Sequence, residues 1–232
     1  MIINEIFYSL QGEGLLAGLP SIFIRLAGCP LRCRWCDTKY ALDYNLSEDL
    51  SIGKIIDKIK NYNCDFVVIT GGEPMANPDL SPRLELKELA DALKKADKHI
   101  TIETAGIVFL TNLACDLMSI SPKLSNSFSK AGKPNSDYKY KGPDISVLKK
   151  LIKHCDYQLK FVVDSPDDID EIIDTIKKIG VVKYEKVLLM PQAATRDELL
   201  SKAQMVADLC KHTGFTFSQR LQVFLWNNEK GT

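Results

Sequence analysis

GCPLRCRWCDTKY, residues 28–40, is the most informative segment of this chain of 232 residues. Its cysteines, Cys29, Cys33 and Cys36, have the spacing C-x3-C-x2-C. One loop with such closely spaced thiolates can wrap a compact iron–sulfur cube. The spacing therefore predicts a [4Fe–4S] cluster with three protein ligands and one iron left open. The ring of Trp35, just before the third cysteine, is placed to shield one side of the cluster.

Three other interpretations of these cysteines are open on spacing alone. A structural zinc site needs four ligands in closed tetrahedral geometry, and the nearest further candidates in the sequence are Cys64 and His99. Disulfide bonding would leave an odd number of the seven cysteines unpaired. The cysteines could also be buried thiols that pack as small apolar groups.

The cysteine spacing, with an aromatic residue before the third cysteine, resembles the signature of the radical S-adenosylmethionine (SAM) enzymes. Four motifs narrow the resemblance: SLQGEG at 9–14, FIRLAGC at 23–29, CDT at 36–38 and TGGEP at 70–74. Together and in this order they resemble the 7-carboxy-7-deazaguanine synthase family. The C-x3-C-x2-C spacing alone is shared by many radical SAM families, so the combination carries the resemblance.

The resemblance implies a lyase-type enzyme that converts 6-carboxy-5,6,7,8-tetrahydropterin to 7-carboxy-7-deazaguanine, with loss of ammonia, in the synthesis of 7-deazapurines such as queuosine. It implies three cofactors: a [4Fe–4S] cluster, SAM on the open iron, and Mg²⁺. An external electron donor such as flavodoxin and a homodimer are implied as well. The alternatives are a glycyl-radical-enzyme activase and a non-enzymatic iron–sulfur or zinc-binding module.

Composition limits the partners and the compartment. Thirty basic and thirty acidic residues give a formal net charge of zero, so no basic excess favours nucleic acid. No apolar run approaches the roughly 18 residues of a membrane span. The N-terminus lacks a basic stretch followed by an apolar core, so we expect no secretory signal and a cytoplasmic protein with reduced thiols. The remaining cysteines are read as core or surface thiols: Cys64, Cys115, Cys155 and Cys210.

Apolar segments that alternate with helical patterns predict the fold. Alternation over residues 21–213 indicates an α/β parallel sheet with right-handed crossovers. Six units rather than eight predict a partial (β/α)6 TIM-like barrel of the radical SAM type, in a single domain over 1–232. An N-terminal substrate-binding segment and a strand-like extension at 215–226 flank this core. The predicted strands are 2–8, 22–26, 66–70, 100–103, 117–120, 157–163 and 186–190; the predicted helices lie in 47–62, 84–96, 144–154, 167–179 and 196–213, with Ser51 and Ser165 as N-caps and a polar loop at 125–142.

The substrate residues come from the resemblance. The QGEG turn, residues 11–14, could be a flexible connection or a place where glycine lets the backbone touch a flat ligand. Arg25, in an apolar strand, needs either a structural carboxylate or a substrate carboxylate that matches its planar fork. The resemblance favours the substrate, and implies contacts from Leu10, Gln11, Gly12, Glu13, Arg25 and Thr70.

The cofactor residues also follow from the resemblance. They are Cys29, Cys33 and Cys36 for the cluster and Thr38 for Mg²⁺, although Asp37 and Thr38 could simply cap a turn. No side chain is assigned as catalytic, because SAM and the cluster carry the radical chemistry. Some relatives carry a His-Lys pair near Leu221 and Gln222, so the role of the tail is open. The implied SAM contacts are Trp35, Cys36, Asp37, Gly72, Glu103, Ser121, Pro122 and Lys123.

Overall fold

A computed structural model describes residues 1–128, 142–227 and 229–232 of the chain. Within these ranges no helix is both long and apolar enough to cross a bilayer. Most of the predicted loop at 125–142 lies outside the described residues. The strands are β1 (Ile2–Leu10), β2 (Pro20–Leu26), β3 (Glu48–Asp49), β4 (Phe66–Gly71), β5 (His99–Thr104), β6 (Leu117–Ile120), β7 (Tyr157–Val163), β8 (Val187–Pro191) and β9 (Thr216–Phe217); the helices are α1 (Ile52–Ile59), α2 (Glu85–Lys95), α3 (Ile145–His154), α4 (Asp168–Ile179), α5 (Arg196–Thr213) and α6 (Leu221–Trp226).

All nine strands form one sheet in the order β3-β1-β2-β4-β5-β6-β7-β8-β9. Neighbours from β2 to β9 pair in parallel, whereas β1 is antiparallel to both β2 and β3. The sheet keeps β3 and β9 as edges, so the predicted partial barrel is confirmed. One crossover differs from the prediction: in the described structure the connection from β5 to β6 contains no helix.

The side chains of the barrel strands point alternately toward the surrounding helices and toward the barrel interior. Ile24, Ile69 and Ile102 are fully buried in the core under the helices. Their sequence neighbours, Arg25 and Thr70 among them, line the barrel interior. Because successive side chains of a strand point to opposite faces, the residues next to the buried isoleucines face the interior, where polar residues such as Arg25 and Thr70 lie beside apolar ones such as Phe23.

The two predicted N-caps have different outcomes. Ser51 accepts a 3.3 Å hydrogen bond from the Lys54 N–H, so its capping role is confirmed. The helical pattern predicted from residue 47 was too long, because Glu48–Asp49 pairs with β1. The prediction for Ser165 was wrong: the Asp168 carboxylate accepts its N–H at 3.0 Å, as an acidic group in the first turn can.

The predicted strand-like tail was also wrong. Only Thr216–Phe217 joins the sheet, and Leu221–Trp226 is helical. The Arg196 side chain donates to the carbonyls of Phe224 and Leu225, at 2.6 and 2.9 Å. Val223 is completely buried in a small core cluster. A helix of six residues is too short for its apolar period to be distinguished from that of a buried strand.

Candidate active site

One cavity of about 480 Å³ lies at the carboxyl ends of the parallel strands, where α/β barrels place their active sites. It has the size of a pocket for small-molecule ligands. Nearly every residue singled out from the sequence lines it: Leu10, Gln11, Gly12, Glu13, Arg25, Cys29, Cys33, Trp35, Cys36, Asp37, Thr38, Thr70, Gly72, Glu103, Ser121 and Lys123. Pro122 is buried and stands outside this lining.

A polar layer crosses the barrel beneath the cavity. Arg25 on β2 is in register with Thr70 on β4, and Glu103 on β5 is in register with Ser119 on β6. Ser119 in turn faces Gln158 on β7, which donates a 2.7 Å hydrogen bond to its hydroxyl. These residues therefore reach the same level from five neighbouring strands and form a polar floor.

All seven cysteines are free thiols, which removes the disulfide interpretation. Cys29, Cys33 and Cys36 line one wall of the cavity, and the Leu31 N–H donates to Cys29 Sγ at 3.3 Å. An apolar cluster of Cys29, Leu31 and Ala105 backs this wall. Burial, with the charge of Glu73 nearby, raises the pKa of the Cys29 thiol to about 12.

These residues fit an iron–sulfur cube. In the described part of the chain, no three His, Cys, Asp or Glu side chains converge on a single-ion position. Each thiolate of a cube binds a different iron, so three cysteines on one loop supply the ligands of an open cluster. A sulfur that accepts a backbone N–H, against an apolar wall, is an environment that tunes such clusters.

The turn after β4 approaches the cysteine loop too closely for any side chain. A Cβ on Gly72 would stand 2.2 Å from the Gly28 carbonyl oxygen and 2.8 Å from the Cys29 Cβ. Gly71 adopts a φ of 144° beside it. Gly72 is therefore required by this contact between backbones, and Gly71 by its conformation and by the backbone of Leu26, whose carbonyl oxygen would stand 2.2 Å from a Cβ.

The two edges of the Arg25 guanidinium differ: the Nε edge is hydrogen-bonded within the protein, and the edge with the two terminal nitrogens is open. Its Nε donates a 2.7 Å hydrogen bond to Glu5 on the neighbouring strand β1. The Tyr40 hydroxyl donates to the same carboxylate oxygen at 2.9 Å. Neither terminal nitrogen of Arg25 donates to any described residue, although the side chain lines the cavity. Glu5 is therefore the structural carboxylate that one alternative from the sequence required, and the contact with a substrate carboxylate stays a prediction.

The QGEG turn is held firmly rather than flexibly. Gln11 is buried; its Nε2 donates to Glu103 at 3.2 Å and its Oε1 accepts the Glu13 N–H at 3.0 Å. Gly14 has a φ of 79°, and a Cβ there would meet Gln158 at 2.3 Å. The turn therefore needs glycine for both its conformation and its packing.

Glu13 sits among donors that sequence reasoning missed. Lys160 donates to its Oε2, while Arg220 at 3.1 Å and Gln222 at 2.6 Å donate to Oε1. Burial raises the pKa of Glu13, but the charges of Lys160 and Arg220 outweigh it and hold the pKa well below its usual range. The carboxyl group is therefore an anion in the folded protein.

A signal for Lys160 was present in the sequence. Gln158 and Lys160 are the polar residues of the otherwise apolar β7, two positions apart and therefore on one face. Arg220 had no such signal in the tail that was predicted as a strand, and Gln222 was noted there only because some relatives carry a His-Lys pair nearby. Lys160 Nζ also lies 4.0 Å from Glu103, a residue predicted to bind SAM.

The residues predicted to bind SAM, apart from Pro122, line the same cavity as the three cysteines. Lys123 donates to the carbonyl and hydroxyl oxygens of Ser121, at 2.9 and 2.7 Å. Asp37 accepts a 2.5 Å hydrogen bond from Arg220. The Arg34 guanidinium stacks 4.3 Å from the Trp35 ring centroid. All four segments that carry the predicted SAM contacts thus contribute residues to the lining of this cavity.

This barrel, with its three-cysteine loop at the carboxyl ends of the strands, defines a radical SAM enzyme, and the model of the radical SAM superfamily matches residues 23–141. Two curated relatives are 7-carboxy-7-deazaguanine synthases. The one from Halobacterium salinarum is 37% identical, over 99% of this chain and 92% of its own. The one from Pyrobaculum aerophilum is 35% identical, over 99% and 96%.

A solved structure supports the same family assignment. The crystal structure of QueE from Escherichia coli superimposes with a TM-score of 0.67 and 26% identity, covering 94% of this chain and 92% of that one. The chain belongs to the 7-carboxy-7-deazaguanine synthase family.

Proposed function

We propose that this chain converts 6-carboxy-5,6,7,8-tetrahydropterin to 7-carboxy-7-deazaguanine, with loss of ammonia, as a step toward 7-deazapurines such as queuosine. The open edge of Arg25 is the observation that carries the proposal. Two free guanidinium nitrogens in a buried polar cavity suit a bidentate carboxylate, which this pterin carries. Membership of the family supports the same substrate.

The substrate residues have different parts in this proposal. Arg25 binds the substrate carboxylate, and Thr70, its neighbour in register, adds a hydroxyl beside it. Glu13 accepts N–H groups from the pyrimidine edge of the pterin, since it is held as an anion. Gln11 fixes the turn through Glu103 and the Glu13 N–H. Leu10 and Gly12 present their backbone to the flat ring.

With the cluster and SAM in place, those groups supply the one-electron and hydrogen-transfer chemistry. Three cysteines bind the cluster and leave an iron open. Thr38, which lines the cavity 3.7 Å from Cys36 Sγ, supplies one oxygen to Mg²⁺, an ion that keeps waters and takes further ligands from substrates. The SAM contacts are Trp35, Cys36, Asp37, Gly72, Glu103, Ser121, Pro122 and Lys123; the cluster ligands are Cys29, Cys33 and Cys36.

The proposal includes an external electron donor of the flavodoxin type, because the open cluster has to receive an electron. A homodimer, which the family resemblance implies, and a cytoplasmic setting, which the sequence suggests, complete it. None of these three elements affects the assignment of Arg25.

The test is an anaerobic assay of the reconstituted enzyme with the carboxypterin, SAM, Mg²⁺ and dithionite. We expect the deazaguanine product from the wild type. Arg25→Lys keeps a charge beside Glu5 but loses the fork, so we expect its KM for the pterin to rise at least about tenfold. Lys178→Met, which removes an exposed pair with Asp174, serves as the control.

Two results would contradict the proposal in different ways. A wild type that changes its reduced-cluster spectrum with SAM yet leaves the pterin unchanged would be a radical SAM enzyme with another substrate, such as a glycyl-radical-enzyme activase. An Arg25→Lys enzyme with an unchanged KM for the pterin would show that Arg25 does not bind the substrate carboxylate. The other parts of the proposal would remain.

A further inference from the structure

Arg220 is a buried arginine, 6% exposed, at the start of the C-terminal helix α6. Each of its three guanidinium nitrogens has a different partner. Nε donates to Glu13 at 3.1 Å, Nη2 donates to Asp37 at 2.5 Å, and Nη1 donates to the carbonyl oxygen of Ala193. The side chain therefore joins three segments that are far apart in sequence.

Two of these segments are assigned to the binding of different ligands. Glu13 lies in the QGEG turn, which the proposed function assigns to the substrate. Asp37 follows the last cluster cysteine and is assigned to SAM. Both residues and Arg220 itself line the one cavity. Arg220 thus connects the proposed substrate side to the proposed SAM side directly, through side chains.

The connection is rigid because the segment that carries it is held on both sides. The Leu221 N–H donates to the Gly12 carbonyl at 2.9 Å, and Gln222 Nε2 donates to Glu13 at 2.6 Å. A Cβ on Gly12 would stand 1.9 Å from Gln222 Oε1. The QGEG turn is therefore joined directly, through the backbone hydrogen bond of Gly12, to the residues that follow Arg220.

A guanidinium transmits displacement because its donors are fixed in one plane. A shift of Glu13 on substrate binding rotates that plane and changes the geometry of the bond to Asp37. The charges strengthen the effect: two cations, Arg220 and Lys160, share three carboxylates, those of Glu13, Asp37 and Glu103. Charges in a buried network respond to one another more strongly than exposed ones do.

We propose that Arg220 is a positioning residue that couples substrate binding at Glu13 to SAM binding at Asp37, so that each ligand strengthens the binding of the other. This inference rests on the proposed function. Coupling of this kind is reciprocal and amounts to about 5- to 150-fold in affinity in characterised proteins.

The test measures the Kd of SAM for the anaerobic holoenzyme by calorimetry, with and without saturating carboxypterin. We expect the pterin to tighten SAM binding about tenfold in the wild type. In Arg220→Met this ratio falls to about one. Arg220→Lys carries a point charge that reaches one partner at a time, so its ratio is intermediate. Asp37→Asn, with a neutral acceptor, also lowers the ratio.

A purely structural role for Arg220 gives a different pattern. The Kd of SAM then rises by the same factor with and without the carboxypterin, so the ratio of the two Kd values stays as in the wild type. This result would overturn the inference. Arg196→Met is the matched control: Arg196 also binds α6, at the carbonyls of Phe224 and Leu225, but does not contact Glu13 or Asp37. Its ratio stays as in the wild type.

The outcomes also separate this inference from the proposed function. A wild type that binds both ligands with a ratio of one overturns the coupling and leaves the substrate assignment intact. A wild type that binds SAM but no pterin overturns the substrate, and with it the coupling. Should Arg220→Met fail to fold, Arg220→Lys and Asp37→Asn carry the same comparison.

Discussion

Thr104 and Glu73 join the ends of two neighbouring strands: the Thr104 hydroxyl donates a 2.6 Å hydrogen bond to Glu73 Oε1. The same buried carboxyl group accepts the N–H groups of Met75 and Ala105, at 3.0 and 2.7 Å. Burial raises the pKa of Glu73, and these hydrogen bonds oppose the rise. One side chain thus fixes the turn after β4 against the end of β5, where both border the cavity.

Thr104→Val should reduce stability through this contact. It removes the hydrogen bond to Glu73 and leaves the Gly106 N–H, 3.0 Å from the hydroxyl, without its acceptor. We expect a loss of about 1–3 kcal/mol in the free energy of unfolding, measured in urea on the cluster-free protein. Thr111→Val, at an exposed turn position, should change it by less than about 0.5 kcal/mol. Equal values for the two variants would contradict the structural role of the bond.

Gly72→Ala should impair cluster assembly. The added Cβ meets the Gly28 carbonyl oxygen at 2.2 Å, which is backbone and cannot rotate away. We expect the cysteine loop to shift and the iron and sulfide bound per chain after anaerobic reconstitution to fall at least about twofold.

The control for this variant is Gly53→Ala, near the start of α1. A Cβ there meets nothing within 4 Å, so cluster content should be unchanged. Stability should rise by up to about 1 kcal/mol, because alanine favours a helix more than glycine does. Wild-type iron content in Gly72→Ala would show that the contact with Gly28 does not place the cluster loop.

Glu13→Gln should change how stability depends on pH. The pKa of Glu13 is lowered in the folded protein because Lys160 and Arg220 outweigh the effect of burial. The resulting stabilisation is complete above the unfolded-state pKa of about 4.3, and it is lost as the pH falls toward the folded-state pKa. At pH 7 we expect the variant to be about 3–5 kcal/mol less stable, since two buried cations lose their shared anion.

Urea unfolding between about pH 7 and pH 3 measures this difference, which should narrow below the unfolded-state pKa. Asp208→Asn removes an exposed carboxylate paired with Lys211 and should differ from the wild type by less than about 0.5 kcal/mol. If the difference between Glu13→Gln and the wild type grew as the pH fell, the sign of the shift would be wrong.

Arg196→Met should loosen the end of α6. Six residues do not form a stable helix by themselves, so this helix depends on tertiary contacts. Loss of the bonds to Phe224 and Leu225 should speed amide hydrogen exchange over residues 224–226, whereas Lys211→Met, at an exposed position of α5, should not. Unchanged exchange in Arg196→Met would mean that Val223 packing alone holds the helix.

Local patterns were sufficient for most of the barrel, whereas most of the residues that line the cavity were predicted from the resemblance to a known family. β6 and β7 begin and end where the sequence predicted, at 117–120 and 157–163, because both are buried parallel strands with mostly apolar residues. The helix at 196–213 was also predicted with the observed bounds, and in the structure Thr195 caps it by accepting the Glu198 N–H at 3.3 Å. The cysteine spacing placed three residues on one wall, because all three belong to one loop.

The amino-acid sequence by itself determined the barrel, the three-cysteine loop and the glycine turns. Each of them depends on a pattern of residues that are close together along the chain. Only the tertiary structure decided which edge of Arg25 is free and which cations surround Glu13. Arg220 and Glu13 are separated by 207 positions, and their contact depends on α6 packing against Gly12. A pattern of neighbouring residues carries no information about such a contact, because the packing of distant segments creates it.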